Sequence, residues 1–357
     1  MSSKTVWPPV GSGVAHRGAC GTHPENTLVG CAEALRQGAG IIEIDLQRSA
    51  DGELMVVHDS TVRRTSDIST VLPDRADCRI GELTLAELRK LDAGSWFDER
   101  FRGAGIPTLA ELLDMLAGRA TLLIELKWPE RSPGIEEQVV KELHRCLGAA
   151  LDGPDTPVAI QVTDLERLRY FRDALPTAVP MCLMSGLVDP LPLEVFEDLG
   201  NWVSCYVPLG RVLQPGYVER VHQYDVRVCP WTIDAPEMLG TMRDMGADAV
   251  VTNHMFVAEA VLGGGPNPLP RTSIRIDSVA ATEERAVLRN VGDAPVDLDG
   301  WWLRNQLSAR QWLPATTVAP GQTVEIASEQ EKFLDNYGDT LAVFDPAYSV
   351  VDLHFYR

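Results

Sequence analysis

Two histidines and two carboxylates near the start of the chain have the types and spacing that acid-base and metal-assisted chemistry require. His16 and His58 each follow a short apolar run. Glu43 and Asp45 alternate with apolar residues, so in a strand both carboxylates would share one face. Because histidine titrates near neutral pH, such a pair can supply a general base and a general acid. Arg17, next to His16, adds a positive charge to the same stretch.

These side chains stand at or near the ends of predicted strands, where an α/β barrel assembles its site. Strands are predicted at 14–15, 41–47, 122–127, 158–162, 179–184, 202–207, 226–231 and 249–253. Helices are predicted at 28–35, 135–147, 165–174, 193–199, 217–224, 236–245 and 256–262. Apolar strands that alternate with helices predict a parallel sheet. Eight of them predict a (β/α)8 TIM barrel over residues 1–262.

The segment that follows the extended piece at 54–58 is longer than a usual loop and predicts a structured excursion from the barrel. Thr84 and Thr108 each precede a glutamate by three residues, which is the capping-box spacing and predicts two short helices. Trp96, Phe97 and Phe101 lie between those helices. We expect their loop to fold over the barrel mouth, with packing against the barrel wall as the alternative.

The bulk composition argues against a nucleic-acid-binding protein and against a membrane span. The 357 residues carry a formal net charge of −19, whereas binding to nucleic acid needs a basic stripe. No apolar run approaches the ~20 residues of a membrane span, and residues 1–13 lack the apolar core of a signal peptide. The seven cysteines contain no Cys-x-x-Cys pair, which predicts reduced thiols and a cytoplasmic protein. A secreted protein without its leader is the alternative.

Five ordered motifs resemble those of the glycerophosphodiester phosphodiesterase family. They are His16-Arg17-Gly18, Pro24-Glu25-Asn26-Thr27, Glu43-Ile44-Asp45, His58-Asp59 and Glu125-Leu126-Lys127. The resemblance covers roughly residues 10–262 and implies a barrel enzyme that cleaves a small-molecule phosphodiester. If the substrate is the usual one of the family, the products are glycerol 3-phosphate and an alcohol.

The resemblance also implies a role for each motif residue. Glu43, Asp45 and Glu125 would bind one divalent cation, Mg²⁺ or Ca²⁺, which prefer carboxylate oxygens. His16 and His58 would be the acid-base pair, in an order that the sequence leaves open. The predicted substrate- and phosphate-binding residues are Arg17, Lys127, Asn26 and Trp231.

Three of these roles have a structural alternative. Arg17 and Lys127 can form ion pairs with the metal-binding carboxylates instead of contacting the phosphate. Capping of the following helix would satisfy Glu25 and Asn26. Trp231 can equally belong to the core.

Three positions depart from the pattern of the family. Gln161-Val162 stands where the family commonly has Ser-Phe, and Asn253 stands where it commonly has Asp. We expect none of these residues to touch the metal ligands or the acid-base pair. The departures would then affect only which alcohol the substrate carries.

The pattern changes after residue 262. Residues 263–270 consist almost entirely of glycine and proline, as in an inter-domain linker. Short strands are then predicted at 274–276, 286–288, 301–303, 324–326, 341–344 and 350–353. Residues 271–357 resemble the lamin-tail domain, which implies a small all-β, immunoglobulin-like sandwich. This tail would serve in contacts with other proteins or in homo-oligomerisation.

The sequence thus predicts a metal-dependent phosphodiesterase that uses His/His acid-base catalysis. One alternative is a phospholipase D of the sphingomyelinase D type, which shares the barrel, two histidines and the Glu-x-Asp motif and releases a cyclic phosphate. Another is a non-catalytic binding protein that uses the tail domain. A degenerate enzyme would have lost a motif residue, and all of them are present.

Overall fold

The computed structural model describes residues 5–186, 189–270, 274–306, 309–328, 330, 332–336 and 338–356. Contacts divide them into two units: one contains the described residues up to 232 together with 242–255, and the other contains 233–241 and the described residues from 256 onward. The predicted boundaries at 262 and 271 stay a prediction, and residues 271–273, which open the predicted tail domain, lie outside the described residues. Each unit is considered by itself.

The first unit contains a barrel of eight parallel strands. The strands of this unit are β1 (Ser12–Ala15), β2 (Ile41–Arg48), β3 (Leu54–Val56), β4 (Thr121–Leu126), β5 (Val158–Val162), β6 (Met181–Ser185), β7 (Cys205–Pro208), β8 (Arg227–Val228) and β9 (Ala249–Thr252). The parallel strands run in the order β8-β7-β6-β5-β4-β2-β1-β9, and β3 pairs antiparallel with β2. The two ends of the sheet meet, because the amides of Asp248 and Val251 donate to the carbonyls of Val228 and Pro230, each at 2.9 Å. The predicted parallel barrel is therefore confirmed.

Helices follow most of the barrel strands, close to the predicted positions. They are α1 (Leu28–Arg36), α2 (Ile68–Val71), α3 (Leu85–Leu88), α4 (Leu109–Leu116), α5 (Ile135–Leu147), α6 (Leu165–Ala174), α7 (Phe196–Leu199), α8 (Tyr217–His222), α9 (Pro236–Asp244) and α10 (Met255–Leu262). Short 3-10 helices lie at Pro73–Arg75, Ile80–Glu82, Glu99–Phe101, Pro129–Arg131, Gly148–Asp152, Leu193–Val195, Gly210–Val212 and Ala281–Glu283. None of the helices in the described parts of the chain is long and apolar enough to cross a bilayer.

Several strands are shorter than predicted, most clearly those predicted at 226–231 and 54–58. The predicted strand at 226–231 forms its ladder only over Arg227–Val228, and Pro230 has no backbone N–H to continue it. The extended piece predicted at 54–58 forms a strand only over Leu54–Val56. It pairs antiparallel with β2 and leads out of the barrel into the excursion.

The excursion between β3 and β4 has an apolar cluster of its own. Buried members include Val62, Ile68, Leu83 and Leu91, from successive turns and short helices. Both predicted capping boxes are present: Thr84 caps α3 through Glu87, and Thr108 caps α4 through Glu111. The excursion therefore has a fixed shape and can hold side chains in place for the site.

The second unit contains antiparallel sheets in the tail. Its strands are β10 (Ile274–Ala280), β11 (Arg285–Asn290), β12 (Val296–Asp297), β13 (Trp302–Arg304), β14 (Arg310–Trp312), β15 (Thr317–Val318), β16 (Thr323–Ala327), β17 (Asp339–Phe344) and β18 (Val350–Tyr356). They form the sheets β10-β11-β16, β14-β13-β17-β18 and β12-β15. Side chains from all three sheets share one buried cluster that includes Leu288, Leu303 and Val318. The predicted all-β tail is confirmed, and its immunoglobulin-like identity stays a prediction.

Candidate active site

The predicted metal-binding carboxylates meet because their strands are neighbours in the barrel. Glu43 and Asp45 lie in β2, and Glu125 lies in β4, where it is the direct partner of Asp45 in the parallel register. One carboxylate oxygen from each of the three residues lies within 4.8 Å of the other two, and all three side chains are buried. The sequence-predicted triad is therefore brought together in one place.

The electrostatics of this triad favour a bound cation. Burial, with repulsion from Asp45 and Glu125, raises the pKa of Glu43 well above its usual range. Oε1 of Glu43 is buried and finds no hydrogen-bond partner among the residues that the structure describes, and such an atom is costly unless a ligand satisfies it. Three carboxylate oxygens at this spacing are the donor set that a hard divalent cation prefers. The residues present thus fit a site for such an ion.

Two partly buried cations balance the triad. Nε of Arg17 lies 3.2 Å from Oδ2 of Asp45, Nζ of Lys127 lies 3.3 Å from Oδ1 of Asp45, and Lys127 also pairs with Glu125. Burial alone would raise the pKa of Asp45, but the charges of Lys127 and Arg17 outweigh it and hold that pKa well below its usual range. Burial opposes the charge of Lys127, yet the neighbouring carboxylates raise its pKa to about 12. The ion-pair interpretation of Arg17 and Lys127 thus has contacts that support it, and their contact with phosphate stays a prediction.

Asn26 and Glu25 do not cap the helix that follows them. The cap of α1 is Thr27, whose Oγ1 accepts from the amide of Gly30 at 3.1 Å. Asn26 instead donates through Nδ2 to Oδ2 of Asp45 at 2.8 Å, and Glu25 pairs with Arg17 at 3.0 Å. Both motif residues therefore hold the triad and its cations, and a contact of Asn26 with substrate stays a prediction.

His16 directly follows β1, and a residue after β9 sets its orientation. Nδ1 of His16 lies 2.7 Å from Oδ1 of Asn253, and β1 and β9 are paired up to Ala15 and Thr252. Because a carbonyl oxygen only accepts, Nδ1 carries the hydrogen and Nε2 is the nitrogen available for proton transfer. The thiol of Cys20 donates to the same Oδ1 at 2.8 Å.

His58 is oriented in the same manner by the residue that follows it. Its Nδ1 lies 2.7 Å from Oδ1 of Asp59. Oδ2 of Asp59 in turn accepts a hydrogen bond from Nε of Arg64 at 2.7 Å. Burial opposes the charge of Asp59, but the hydrogen bond with His58 and the contacts with Arg64 lower its pKa below the usual range. A carboxylate that stays charged keeps Nδ1 of His58 as the donor and leaves Nε2 for the reaction.

Three residues with contacts in this site were not predicted to have them. The expectation that Gln161 and Asn253 avoid the metal ligands and the acid-base pair is wrong: Gln161 donates through Nε2 to Glu125 at 3.0 Å, and Asn253 bonds His16. Both contacts follow from strand pairing: β5 pairs with β4, and β9 pairs with β1. The sequence predicts these strands but not the distances between their side chains. Arg64 was not predicted because it lies beyond the last residue of the His58-Asp59 motif. Its short distance from Asp59 along the chain was the only sequence feature that could have indicated the contact.

Trp231 and the aromatic residues of the excursion have different surroundings. Trp231 is half-buried, packs against the barrel core and donates through Nε1 to the carbonyl of Ser185 at 3.2 Å. In the excursion, the ring of Phe101 lies 4.7 Å from that of His23 in the loop after β1, whereas Phe97 is buried. The aromatic loop therefore reaches the loop that carries the first motifs. Substrate contact by Trp231 stays a prediction.

The comparisons with known proteins agree with this geometry. Residues 16–257 match the model of the glycerophosphoryl diester phosphodiesterase family. A glycerophosphodiester phosphodiesterase of Bacillus altitudinis is 36% identical over 256 residues, which cover 67% of this chain and 93% of the relative. A glycerophosphodiester phosphodiesterase of Bacillus subtilis (strain 168) is 30% identical over 254 residues, with 68% and 83% covered.

A solved structure gives a similar result. An Oleispira antarctica phosphodiesterase in complex with the product sn-glycerol-3-phosphate superimposes with a TM-score of 0.61 at 26% identity. The match covers 71% of this chain and 97% of that one. The family match ends at residue 257 and does not extend over the tail sheets.

Proposed function

The chain belongs to the glycerophosphoryl diester phosphodiesterase family and is a phosphoric diester hydrolase, and on that premise we propose that it hydrolyses a glycerophosphodiester to glycerol 3-phosphate and an alcohol with the help of a metal ion. The observation that carries this proposal is the meeting of the buried triad with two histidines at neighbouring strand ends, each with Nδ1 bound to an acceptor. Nε2 of both histidines is thereby assigned to proton transfer.

Glu43, Asp45 and Glu125 would hold one divalent cation, Mg²⁺ or Ca²⁺. When bound, that ion polarises a phosphoryl oxygen and offsets the charge that develops in the transition state. The buried Oε1 of Glu43 supports the assignment, because it has no hydrogen-bond partner within the described residues. Arg17 and Lys127 lie within ion-pair distance of the same carboxylates and would add positive charge near the phosphate.

The two histidines divide the proton transfers. One Nε2 takes the proton of the attacking oxygen as its bond to phosphorus forms, and the other gives a proton to the alcohol oxygen as its bond to phosphorus breaks. When the substrate carries a hydroxyl next to the ester, that hydroxyl can attack first, which releases the alcohol and forms a cyclic phosphate that water then opens to glycerol 3-phosphate. Otherwise, water attacks directly.

The two alternative functions have less support. A phospholipase D of the sphingomyelinase D type would release a cyclic phosphate as its final product, whereas the family match is to glycerophosphodiester phosphodiesterases. A binding protein without catalysis would lack part of the site, whereas the triad, both histidines and both cations are present. Hydrolysis to glycerol 3-phosphate is therefore the function that we test.

For the tail, we propose a lamin-tail-like, immunoglobulin-like module that mediates protein contacts or self-association. Its antiparallel sheets and their common apolar cluster support this proposal. Residues 1–262, 263–270 and 271–357 are the proposed barrel, linker and module. A location in the cytoplasm is part of the same proposal; all seven cysteines are free.

The proposed function is tested with a panel of glycerophosphodiesters that differ only in their alcohol. Each diester is assayed with Mg²⁺, Ca²⁺ and Mn²⁺, and the phosphorus-containing product is identified by ³¹P NMR. We expect glycerol 3-phosphate and the free alcohol. A cyclic phosphate as the end product would favour the phospholipase D alternative, and no turnover of any diester with any metal would contradict the proposal.

A further inference from the structure

Arg64 lies outside the barrel strands and binds two carboxylates of the site at once. Its Nε and Nη2 donate to Asp59 at 2.7 and 3.1 Å, and its Nη1 and Nη2 donate to Glu25 at 2.8 and 2.7 Å. The loop after β1 supplies Glu25, and the loop after β3 supplies Asp59. One guanidinium therefore joins two loops that are separated in the sequence.

Each of these carboxylates contacts a residue of the proposed reaction. Asp59 accepts from Nδ1 of His58 at 2.7 Å, and Glu25 accepts from Nη1 of Arg17 at 3.0 Å. Burial opposes the charge of Glu25, but Arg17 and Arg64 together lower its pKa to about 2. The chain of contacts His58–Asp59–Arg64–Glu25–Arg17 thus runs without a gap between a candidate acid-base group and a candidate phosphate ligand.

The excursion holds Arg64 in place. Its turn is closed by Ser66, whose Oγ donates to the carbonyl of buried Val62 at 2.7 Å. Val62 and Ile68, on either side of the turn, belong to the apolar cluster of the excursion. The guanidinium also lies 5.6 Å from the centre of the Trp96 ring, a cation–π distance. The excursion therefore holds the guanidinium in place without a substrate.

We propose that Arg64 is a positioning residue for hydrolysis, which fixes the imidazole of His58 through Asp59 and the guanidinium of Arg17 through Glu25. The proposal rests on the proposed function. Arginine suits this task because its planar fork offers paired donors to two carboxylates, which the single ammonium group of lysine does not. Loss of such a support typically lowers activity by about 10–100-fold.

The adjacent arginine is a matched control. Arg63 pairs with Asp77 at the surface, and its side chain is 57% exposed. Arg63→Ala removes an arginine side chain next to Arg64 in the sequence, but one that makes no contact with the site within the described residues. Arg64→Ala and Arg64→Lys should both lower kcat by about 10–100-fold, whereas Arg63→Ala should keep the kcat of the wild type.

A double-mutant cycle separates positioning from a general structural role. If Arg64 acts on His58 through Asp59, Arg64→Ala should lower kcat much less in an Asp59→Asn background than in the wild type, because part of its effect is already lost. Added methylguanidinium should partly restore Arg64→Ala and leave Arg63→Ala unchanged. Circular dichroism at the assay temperature verifies that each variant is folded. Independent effects of the two substitutions, or wild-type kcat in folded Arg64→Ala, would overturn the proposal.

A spectroscopic measurement separates this inference from the proposed function, because it requires no turnover. Imidazole ¹⁵N shifts should report Nδ1-protonated His58 in the wild type and in Arg63→Ala, and a mixture of tautomers in Arg64→Ala. Unchanged shifts in Arg64→Ala would overturn the inference even if the enzyme is active. A failure of the wild type to hydrolyse any glycerophosphodiester would instead contradict the proposed function and leave this result interpretable.

Discussion

Replacement of Asn253 by aspartate should reveal which histidine role belongs to His16. Oδ1 of Asn253 lies 2.7 Å from Nδ1 of His16, and the side chain of Asn253 is buried. The substitution keeps the acceptor and the side-chain shape but adds a negative charge at hydrogen-bond distance. An opposite charge favours the protonated imidazole, so His16 in the variant should lose its proton only at higher pH.

The size of the effect follows from the distance. A charge within ~4–6 Å commonly moves a titration by about 1–3 pH units, and the contact here is shorter. One pH unit corresponds to about 1.4 kcal/mol of interaction with the charged form. We therefore expect one limb of the pH–rate profile to move upward by about 1–3 pH units, with little change in the maximal rate.

The limb that moves identifies the role. If His16 is the base, it must be unprotonated, so the ascending limb moves up and the rate near neutral pH falls. If His16 is the acid, it must be protonated, so the descending limb moves up and activity extends to higher pH. The assay is kcat against pH on the diester that the wild type hydrolyses fastest, with Asn201→Asp, at an exposed position, as the control.

A folded, active Asn253→Asp variant in which both limbs coincide with those of the wild type would contradict this prediction. That result would mean that the side chain of residue 253 does not control the protonation of His16. A shift of both limbs in the Asn201→Asp control would indicate a general charge effect instead. Only a movement confined to one limb of the residue 253 variant supports the account.

Three further predictions follow from the same structure. A divalent cation at 100 times its Kd should stabilise the wild type by about 2.7 kcal/mol, which corresponds to a rise in Tm of roughly 5–11 °C. Glu43→Gln should lose most of this rise, whereas the control Glu166→Gln, at an exposed position, should keep it. His16→Ala and His58→Ala should each lower kcat by about 10²–10⁴-fold, and a variant with wild-type kcat would assign that histidine to structure. Burial raises the pKa of Asp339 from 3.8 to about 7, so its contribution to the stability of the tail is complete below pH 4 and is lost as the pH rises to about 7. The Tm of the tail should fall over this pH range in the wild type but not in Asp339→Asn, and an equal fall in Asp339→Asn would contradict the prediction.

The sequence was sufficient for features that depend on local spacing. Both capping boxes, at Thr84 and Thr108, need only a threonine and a glutamate three residues later, and both form. Glu43 and Asp45 lie on one face because of the period of a strand, and the parallel register then places Glu125 beside Asp45. Strand-helix alternation was enough to predict the barrel that brings these strands together.

Contacts between distant segments were beyond sequence reasoning. Asn253 reaches His16 only because β9 pairs with β1, and Gln161 reaches Glu125 only because β5 pairs with β4. Arg64 depends on the path of the whole excursion, which its apolar cluster determines. The short strands β12, β14 and β15 were not predicted for a related reason, since two or three residues carry too little periodicity to be recognised without their partner strands.

Metal-assisted hydrolysis is tested most directly by the rate at which the purified chain releases glycerol 3-phosphate from a glycerophosphodiester in H₂¹⁸O, first with a divalent cation and then with excess chelator. We predict steady release with the cation, one ¹⁸O atom in each phosphate group formed, and no release in chelator until the cation is restored. Undiminished release in excess chelator, or the absence of glycerol 3-phosphate in the presence of every cation tested, would contradict the account of a metal-assisted phosphodiesterase.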